Sequence, residues 1–324
     1  MGLPAQTAPA YHYFRLGNPA EAAASATRPG FALMGGGSDL DEAFGWLCEH
    51  GGRGDFLVLR ATGDDEYNPY VAKVCHPNSV ATLVLPSKEA ALDPFVPGAI
   101  RKASALFISG GDQANYINHW MGTPVQAELN AAIRRGVPIG GTSAGLAVLG
   151  EWAYSAQGDA PEDKDLDSKT TLDNPYHPRV TLVQGFLEIP ILKGIITDTH
   201  FAKRNRMGRL LVYLARLNEP DGKPLPPPGM GIRGIGVQEK AAVLLEPDGQ
   251  ARVVGKGNAY FVDARKGSGT LERGKPLSFG PYAVVKVAPG HVFDLKNWTG
   301  DGTVYSLSVQ DGKVRSTQAG GEVY

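Results

Sequence analysis

The sequence predicts an α/β protein built on a parallel sheet with helices on both faces, followed by a β-rich segment. Three observations carry this prediction. Short, continuous apolar runs end in glycine-rich turns, and amphipathic helical stretches separate them, which is the pattern of strands buried on both sides. Beyond Gly234 the pattern changes to short alternating strands divided by Asp-Gly and Gly-rich turns.

The elements follow in order. Phe31–Met34 runs into Gly35-Gly36-Gly37, 56–60 leads to Thr62-Gly63, and 81–85 is a third apolar run. Next, 105–109 meets Gly110-Gly111, and 137–139 leads into Gly140-Gly141-Thr142-Ser143. Helical periodicity covers 39–50 and 123–135. Ligands in such sheets bind beyond the carboxyl ends of the strands, where these glycines fall. The stretch 156–179 is polar and long for a structureless connection, so it reads as functional or mobile. Strands are expected at 180–186 and 194–197, and a helix at 204–217. The loop 218–231, with Pro224 and Pro226-Pro227-Pro228, cannot be helical. Four later turns read as hairpin signals: Pro247-Asp248-Gly249, Lys266-Gly267, Gly300-Asp301-Gly302 and Gln310-Asp311-Gly312. The expected organisation is a lead-in at 1–28, an α/β domain at 29–263, and a β-rich extension at 264–324 packed on the same core.

Composition narrows the function. The 324 residues are 42% hydrophobic and 20% charged, ordinary for a globular enzyme. A net charge of −1 argues against a nucleic-acid partner. No apolar run approaches the roughly 18–20 residues of a membrane span. Residues 1–10 lack the basic and apolar regions of a signal peptide, yet 2–10 is rich in small residues and resembles a trimmed start. A secreted or periplasmic location is expected, with a cytoplasmic one as the alternative. Cys48 and Cys75 lack metal-ligand spacing; they could pair, but two ordinary buried thiols are the expectation. Neither a metal site nor a cofactor is expected, since no HExxH or Cys/His cluster is present.

Four segments carry chemistry. In Gly140-Gly141-Thr142-Ser143-Ala144-Gly145 a serine stands between small residues at a strand-to-helix turn, the nucleophile-elbow arrangement. The backbone N–H of Ala144 would face a developing oxyanion, and the glycines of Ser109-Gly110-Gly111-Asp112-Gln113 could supply a second donor at Gly111. Gln113 would face substrate. In 198–209, His200 sits at a strand end before a helix, within reach of a neighbouring strand's serine. Arg204, Arg206 and Arg209 follow it, and guanidinium forks suit carboxylate-bearing substrates. Glu239, in Gly234-Ile235-Gly236-Val237-Gln238-Glu239-Lys240, could accept from the second histidine nitrogen and fix its tautomer.

Taken together and in this order, GGTSAG, GGDQ, DTHFAKRNRMGRL and GIGVQEKAAVLL resemble the cyanophycinases and related S51-type serine peptidases, over about 29–263. The resemblance implies a flavodoxin-like, or class I glutamine amidotransferase-like, α/β fold. It implies a Ser143–His200–Glu239 triad and a substrate pocket lined by Gln113, Asp198, Thr199, Arg204, Arg206 and Arg209. It further implies a homodimer that needs no metal and hydrolyses cyanophycin or aspartyl and β-aspartyl peptides. Two residues depart from the pattern: Thr199 replaces the usual glutamine before the histidine, and Gln238 replaces the aspartate before the triad glutamate. Thr199 removes a long amide from the pocket, so the substrate need not be cyanophycin itself. The competing expectation is a non-catalytic, carboxylate-peptide binding protein on the same fold. A cysteine-dependent amidotransferase-like hydrolase is disfavoured, because the elbow holds serine.

Overall fold

A computed structural model describes residues 10–19, 26–160, 163, 165–218 and 231–324. The proline-rich stretch around Pro224–Pro228 and most of the small-residue start lie outside these residues. In chain order the first half contains β1 (His12–Gly17), β2 (Phe31–Met34), α1 (Asp41–His50), β3 (Asp55–Arg60), α2 (Tyr67–Cys75), β4 (Ser79–Val84), α3 (Lys88–Ala91), α4 (Phe95–Lys102), β5 (Ala105–Ile108), α5 (Gln113–Trp120), α6 (Pro124–Arg134) and β6 (Ile139–Thr142). Then come α7 (Ala144–Ala147), β7 (Trp152–Tyr154), α8 (Ser168–Asp173), β8 (Leu182–Gln184), β9 (Ile195–Asp198) and α9 (Met207–Asn218). The rest is β10 (Arg233–Val237), β11 (Ala241–Leu245), β12 (Gln250–Gly255), β13 (Ala259–Asp263), β14 (Ser268–Thr270), β15 (Ser278–Val287), β16 (Val292–Asp294), β17 (Thr299–Gly300), β18 (Thr303–Gln310) and β19 (Lys313–Ser316).

The expected parallel sheet is present as β4-β3-β5-β6-β2, whose strands are almost wholly buried. Antiparallel strands extend it on both sides. β1 joins one edge, so part of the segment expected as a lead-in is a strand. β11, β12, β16 and β17 follow β2 on the other. The helices cover both faces. On one, Phe44, Leu47 and Cys48 of α1 pack with Phe56, Val58 and Phe107. On the other, Ile117 and Trp120 of α5 and Leu129 and Ile133 of α6 pack with Leu57, Leu106 and Ile139. α6 starts as its sequence requires, with Thr123 accepting from the Val125 N–H and Pro124 at the first helical position.

A second sheet was not foreseen. It runs β19-β18-β15-β13-β10-β9-β7-β8, with β9 parallel to both β10 and β7 and most other pairs antiparallel. α9 packs on it through Leu210, Leu211, Tyr213 and Leu214, all buried with Tyr260 and Tyr282. The sheets are joined where β10 passes into β11 through Gln238–Lys240, and where the His200 N–H donates to the Gly35 carbonyl (2.8 Å).

Three local expectations are corrected. Cys48 and Cys75 form a disulfide with Cα atoms 5.9 Å apart, tying α1 to the end of α2. The polar stretch 156–179 contains α8, capped by Asp167, whose carboxylate accepts from the Thr170 N–H. Of the four hairpin signals, those at 247–249 and 310–312 join paired strands. By contrast, 300–302 carries the chain from the first sheet to the second, and 266–267 links two strands that each pair with β15. Turn residues report a reversal, not which strand the chain then joins.

Candidate active site

Ser143 follows β6 directly, and the backbone turns there with φ 52° and ψ −118°, a region that non-glycine residues rarely occupy. Its N–H donates to the Met34 carbonyl at 3.1 Å, and its carbonyl accepts from the Ala147 N–H at 3.0 Å. Gly145 cannot bear a side chain, because an added Cβ would collide with the carbonyl of Ile108 at the end of β5. The buried Tyr116 phenol lies 2.9 Å and 3.0 Å from the carbonyls of Ser109 and Gly110, bracing the neighbouring turn. Gly111 and Ala144, the expected oxyanion donors, line the same cavity as Ser143.

His200 stands at the end of β9, in the second sheet, so it reaches Ser143 across the seam between sheets and not along one sheet. Its Nε2 is 2.7 Å from Ser143 Oγ, and its Nδ1 is 2.7 Å from Glu239 Oε1. With Nδ1–H donating to the carboxylate, Nε2 is left to accept the serine proton. Glu239 occupies the turn through which the chain crosses from β10 to β11. Gln238, where the family pattern has aspartate, braces this turn: its amide donates to the Tyr260 hydroxyl (2.9 Å) and accepts from the Asn258 N–H (2.8 Å).

The floor beneath the histidine is Gly35-Gly36-Gly37, read from sequence only as a turn. The Gly36 carbonyl accepts from the Lys240 N–H (2.9 Å). Gly36 has φ +91°, and a Cβ there would lie 2.5 Å from His200 Cε1 and 2.6 Å from Nε2. Its position after an apolar strand was the available signal; the partner ring was not readable.

Burial lowers the His200 pKa below its ordinary 6.5, opposed by its hydrogen bond to Glu239 and assisted by the charges of Arg204 and Arg206. Glu239 is held below the usual carboxylate range, first by that hydrogen bond. At neutral pH the pair is therefore neutral imidazole and carboxylate, the state required of a general base. With His200 as the expected base, its protonation would remove that base, and activity is expected to fall as pH drops through its pKa. The acid limb of kcat/KM is expected below pH 6.5. A pH–rate profile checks this, and a limb above that value would contradict it.

The cavity beside Ser143 has a volume of about 320 Å³. Gln113, Thr199, Arg204, Arg206 and Arg209 line it, together with Asp112, Asp159, Asp163 and Asp165. Two of the expected pocket residues are otherwise engaged. Asp198 is buried, and both of its oxygens accept from Arg209, whose Nε is 2.7 Å from Oδ2. Burial disfavours the Arg209 charge, but Asp198 outweighs it and holds the guanidinium above the ordinary arginine range. Arg209 lines the cavity, and Asp198, which does not, holds it in place from beneath. The expectation that Asp198 lines the pocket is corrected accordingly.

Arg206 precedes α9, so it does not share a helix face with Arg209. Its Nη1 donates to the carbonyl and hydroxyl of Thr199 (3.1 and 3.0 Å), and its Nη2 to Asp165 (3.0 Å). Burial and the neighbouring Arg209 charge push its pKa down to about 10. Arg204 donates to the same Asp165 carboxylate at 2.6 Å. The three guanidinium groups are thus paired within the chain, Arg204 and Arg206 by Asp165 of the polar stretch and Arg209 by Asp198 of β9. Among the described residues, no group of three or more His, Cys, Asp and Glu side chains is placed to hold a metal ion.

A strained serine elbow with a histidine and a carboxylate in line defines a site of the serine-hydrolase kind. Comparison with known proteins agrees with that class. Residues 60–174, which include Ser143 but neither His200 nor Glu239, match peptidase family S51. The chain is 31% identical over 186 residues to a cyanophycinase of Geminocystis herdmanii, covering 57% of this chain and 58% of that protein. It is 30% identical over 211 residues to a cyanophycinase of Synechococcus elongatus, covering 64% and 54%. The chain thus spans just over half the length of these relatives. The crystal structure of a peptidase from an acI-B1 Actinobacterium shares the fold, with a TM-score of 0.54 and 17% identity, covering 83% of this chain and 98% of that one. Over these spans the chain is similar to the cyanophycinases and to peptidase family S51.

Proposed function

We propose that this protein is a serine peptidase that cleaves aspartyl or β-aspartyl bonds, with Ser143 as nucleophile, His200 as general base and Glu239 orienting it. The observation that carries the reading is the unbroken chain Ser143 Oγ–His200 Nε2–His200 Nδ1–Glu239 Oε1, with both contacts at 2.7 Å. His200 takes the hydroxyl proton as Ser143 Oγ bonds to the scissile carbonyl carbon. The proton then passes to the leaving amine as the C–N bond breaks, leaving an acyl-enzyme. Water, deprotonated by the same histidine, releases the acid and restores the serine. N–H groups of Gly111 and Ala144 would stabilise the oxyanion, a contribution of about 3–4 kcal/mol per donor in comparable sites.

The mixed-sign lining supports a substrate that carries both charges. Asp112, Asp159 and Asp163 stand beside Arg204 and Arg206 in one cavity, and the curated relatives are cyanophycinases. Asp165 pairs with Arg204 and Arg206, and Asp159 and Asp163 pair with Arg179, so the lining presents both signs in partly balanced form, which suits an aspartyl substrate that itself carries both charges. The Cys48–Cys75 disulfide supports action in an oxidising, exported setting.

The test is to offer cyanophycin, β-aspartyl-arginine peptides and unmodified α-aspartyl peptides to the purified protein. Release of β-aspartyl-arginine dipeptide from the polymer is the expected result. Cleavage of small aspartyl peptides alone would move the substrate to peptides admitted by Thr199. Inertness of the folded protein towards all three would overturn the reading.

A further inference from the structure

The segment that follows β19 returns to the site. Tyr324, outside the S51-matched span, places its hydroxyl 2.8 Å from the Met207 N–H and 3.1 Å from Asn205 Oδ1. Met207 opens α9, and the first N–H groups of a helix have no partner within it. The phenol oxygen accepts from that N–H and can donate its own proton to the Asn205 amide oxygen. The ring meets Phe201 edge-on at 5.9 Å and Tyr260 edge-on at 5.8 Å. Tyr305, on β18, anchors the segment by donating to the Val323 carbonyl at 2.8 Å.

These contacts all fall on the turn that carries the base. Residues 200–206 link β9 to α9, and both His200 (φ 47°) and Asn205 (φ 49°) hold left-handed backbone conformations. Such conformations persist only when the surroundings over-determine them. Phe201, next in sequence to His200, is fully buried against Gly236 and the two tyrosines. Tyr324 thus grips the turn at both ends, through Phe201 beside His200 and through Asn205 and Met207 at its exit.

We propose that Tyr324 is a positioning residue for the reaction: it braces the 200–206 turn so that His200 stays aligned between Ser143 and Glu239. The inference rests on the serine peptidase reading above and assigns the segment that follows β19 a part in catalysis. A residue acting this way lowers turnover through His200; Tyr324 does not itself line the cavity, so KM should move less than kcat even though Arg204 and Arg206 share the turn.

The experiment compares wild type with Tyr324→Phe and Tyr324→Ala by hydrolysis kinetics, labelling of Ser143 by a fluorophosphonate, and thermal unfolding. Tyr324→Phe keeps the ring contacts and removes both hydrogen bonds; kcat and the labelling rate are expected to fall about 3- to 10-fold, with KM within about twofold. Tyr324→Ala is expected to lose more of both rates. Rates per folded molecule that match wild type in both variants, whatever their unfolding temperatures, would show a purely structural residue and overturn the inference. A rise in KM without loss of kcat would also overturn it. Wild type that neither hydrolyses nor reacts with the reagent would instead refute the peptidase reading, and the inference with it.

Discussion

Ser143→Ala is expected to lower turnover by about 10⁴-fold or more while leaving the fold intact, as removal of a triad nucleophile does elsewhere. The size of the effect follows from what remains. Without Oγ there is no acyl-enzyme, and His200 can only activate water that the site does not position. Residual rate would come from oxyanion donors and binding alone. The structural cost is small: Ser143 is held through its backbone, by the Met34 carbonyl and the Ala147 N–H, and its side chain contacts His200. Circular dichroism and the unfolding temperature should therefore match wild type. Turnover retained within tenfold would remove Ser143 from the mechanism.

Gly36→Ala is expected to cost about 10²-fold in kcat, the scale of an ångström-sized misplacement of a catalytic group. A methyl group at this position lies 2.5 Å from His200 Cε1, so either the ring or the backbone must move. The ring is pinned at both nitrogens, and the Gly36 carbonyl is tied to Lys240, beside Glu239. Any relaxation therefore lengthens one of the two 2.7 Å contacts. The substitution is also strained by φ +91°, so a loss of stability of about 1–3 kcal/mol should accompany it. Measuring kcat per folded molecule separates the two effects; a value within twofold of wild type would show that the glycine floor does not position the base.

Much of the parallel sheet was legible because its signals are local. Each apolar run from Phe31 to Ile139 is nearly continuous, as burial on both faces requires, and each ends at turn residues where the site forms. Ser143, His200 and Glu239 came together as a triad only through the resemblance of four ordered segments, since each segment alone is a weak signal. What sequence could not supply was pairing over distance. Nothing in 195–198 or 233–237 says that these strands belong to a second sheet, since alternation and apolarity look the same in either. Cys48 and Cys75 are separated by 27 residues, and only the packing of α1 against α2 brings their sulfur atoms together.

The arginine cluster shows the same limit more sharply. Arg204, Arg206 and Arg209 read as free forks because their partners, Asp165 and Asp198, approach from another loop and from beneath the pocket. A buried guanidinium must be paired, but the sequence does not say with what. Glycine at 36 and tyrosine at 324 were equally silent: one was read as a turn, the other lay in a segment assigned only to packing.

The central claim is that Ser143 is a nucleophile activated through His200. It is tested most directly by treating the wild-type protein and a His200→Ala variant with a fluorophosphonate and mapping the adduct by mass spectrometry. One adduct, on the peptide containing Ser143, formed rapidly in wild type and lost in the variant, is the predicted result. An adduct on another residue, or equal labelling without His200, would contradict it.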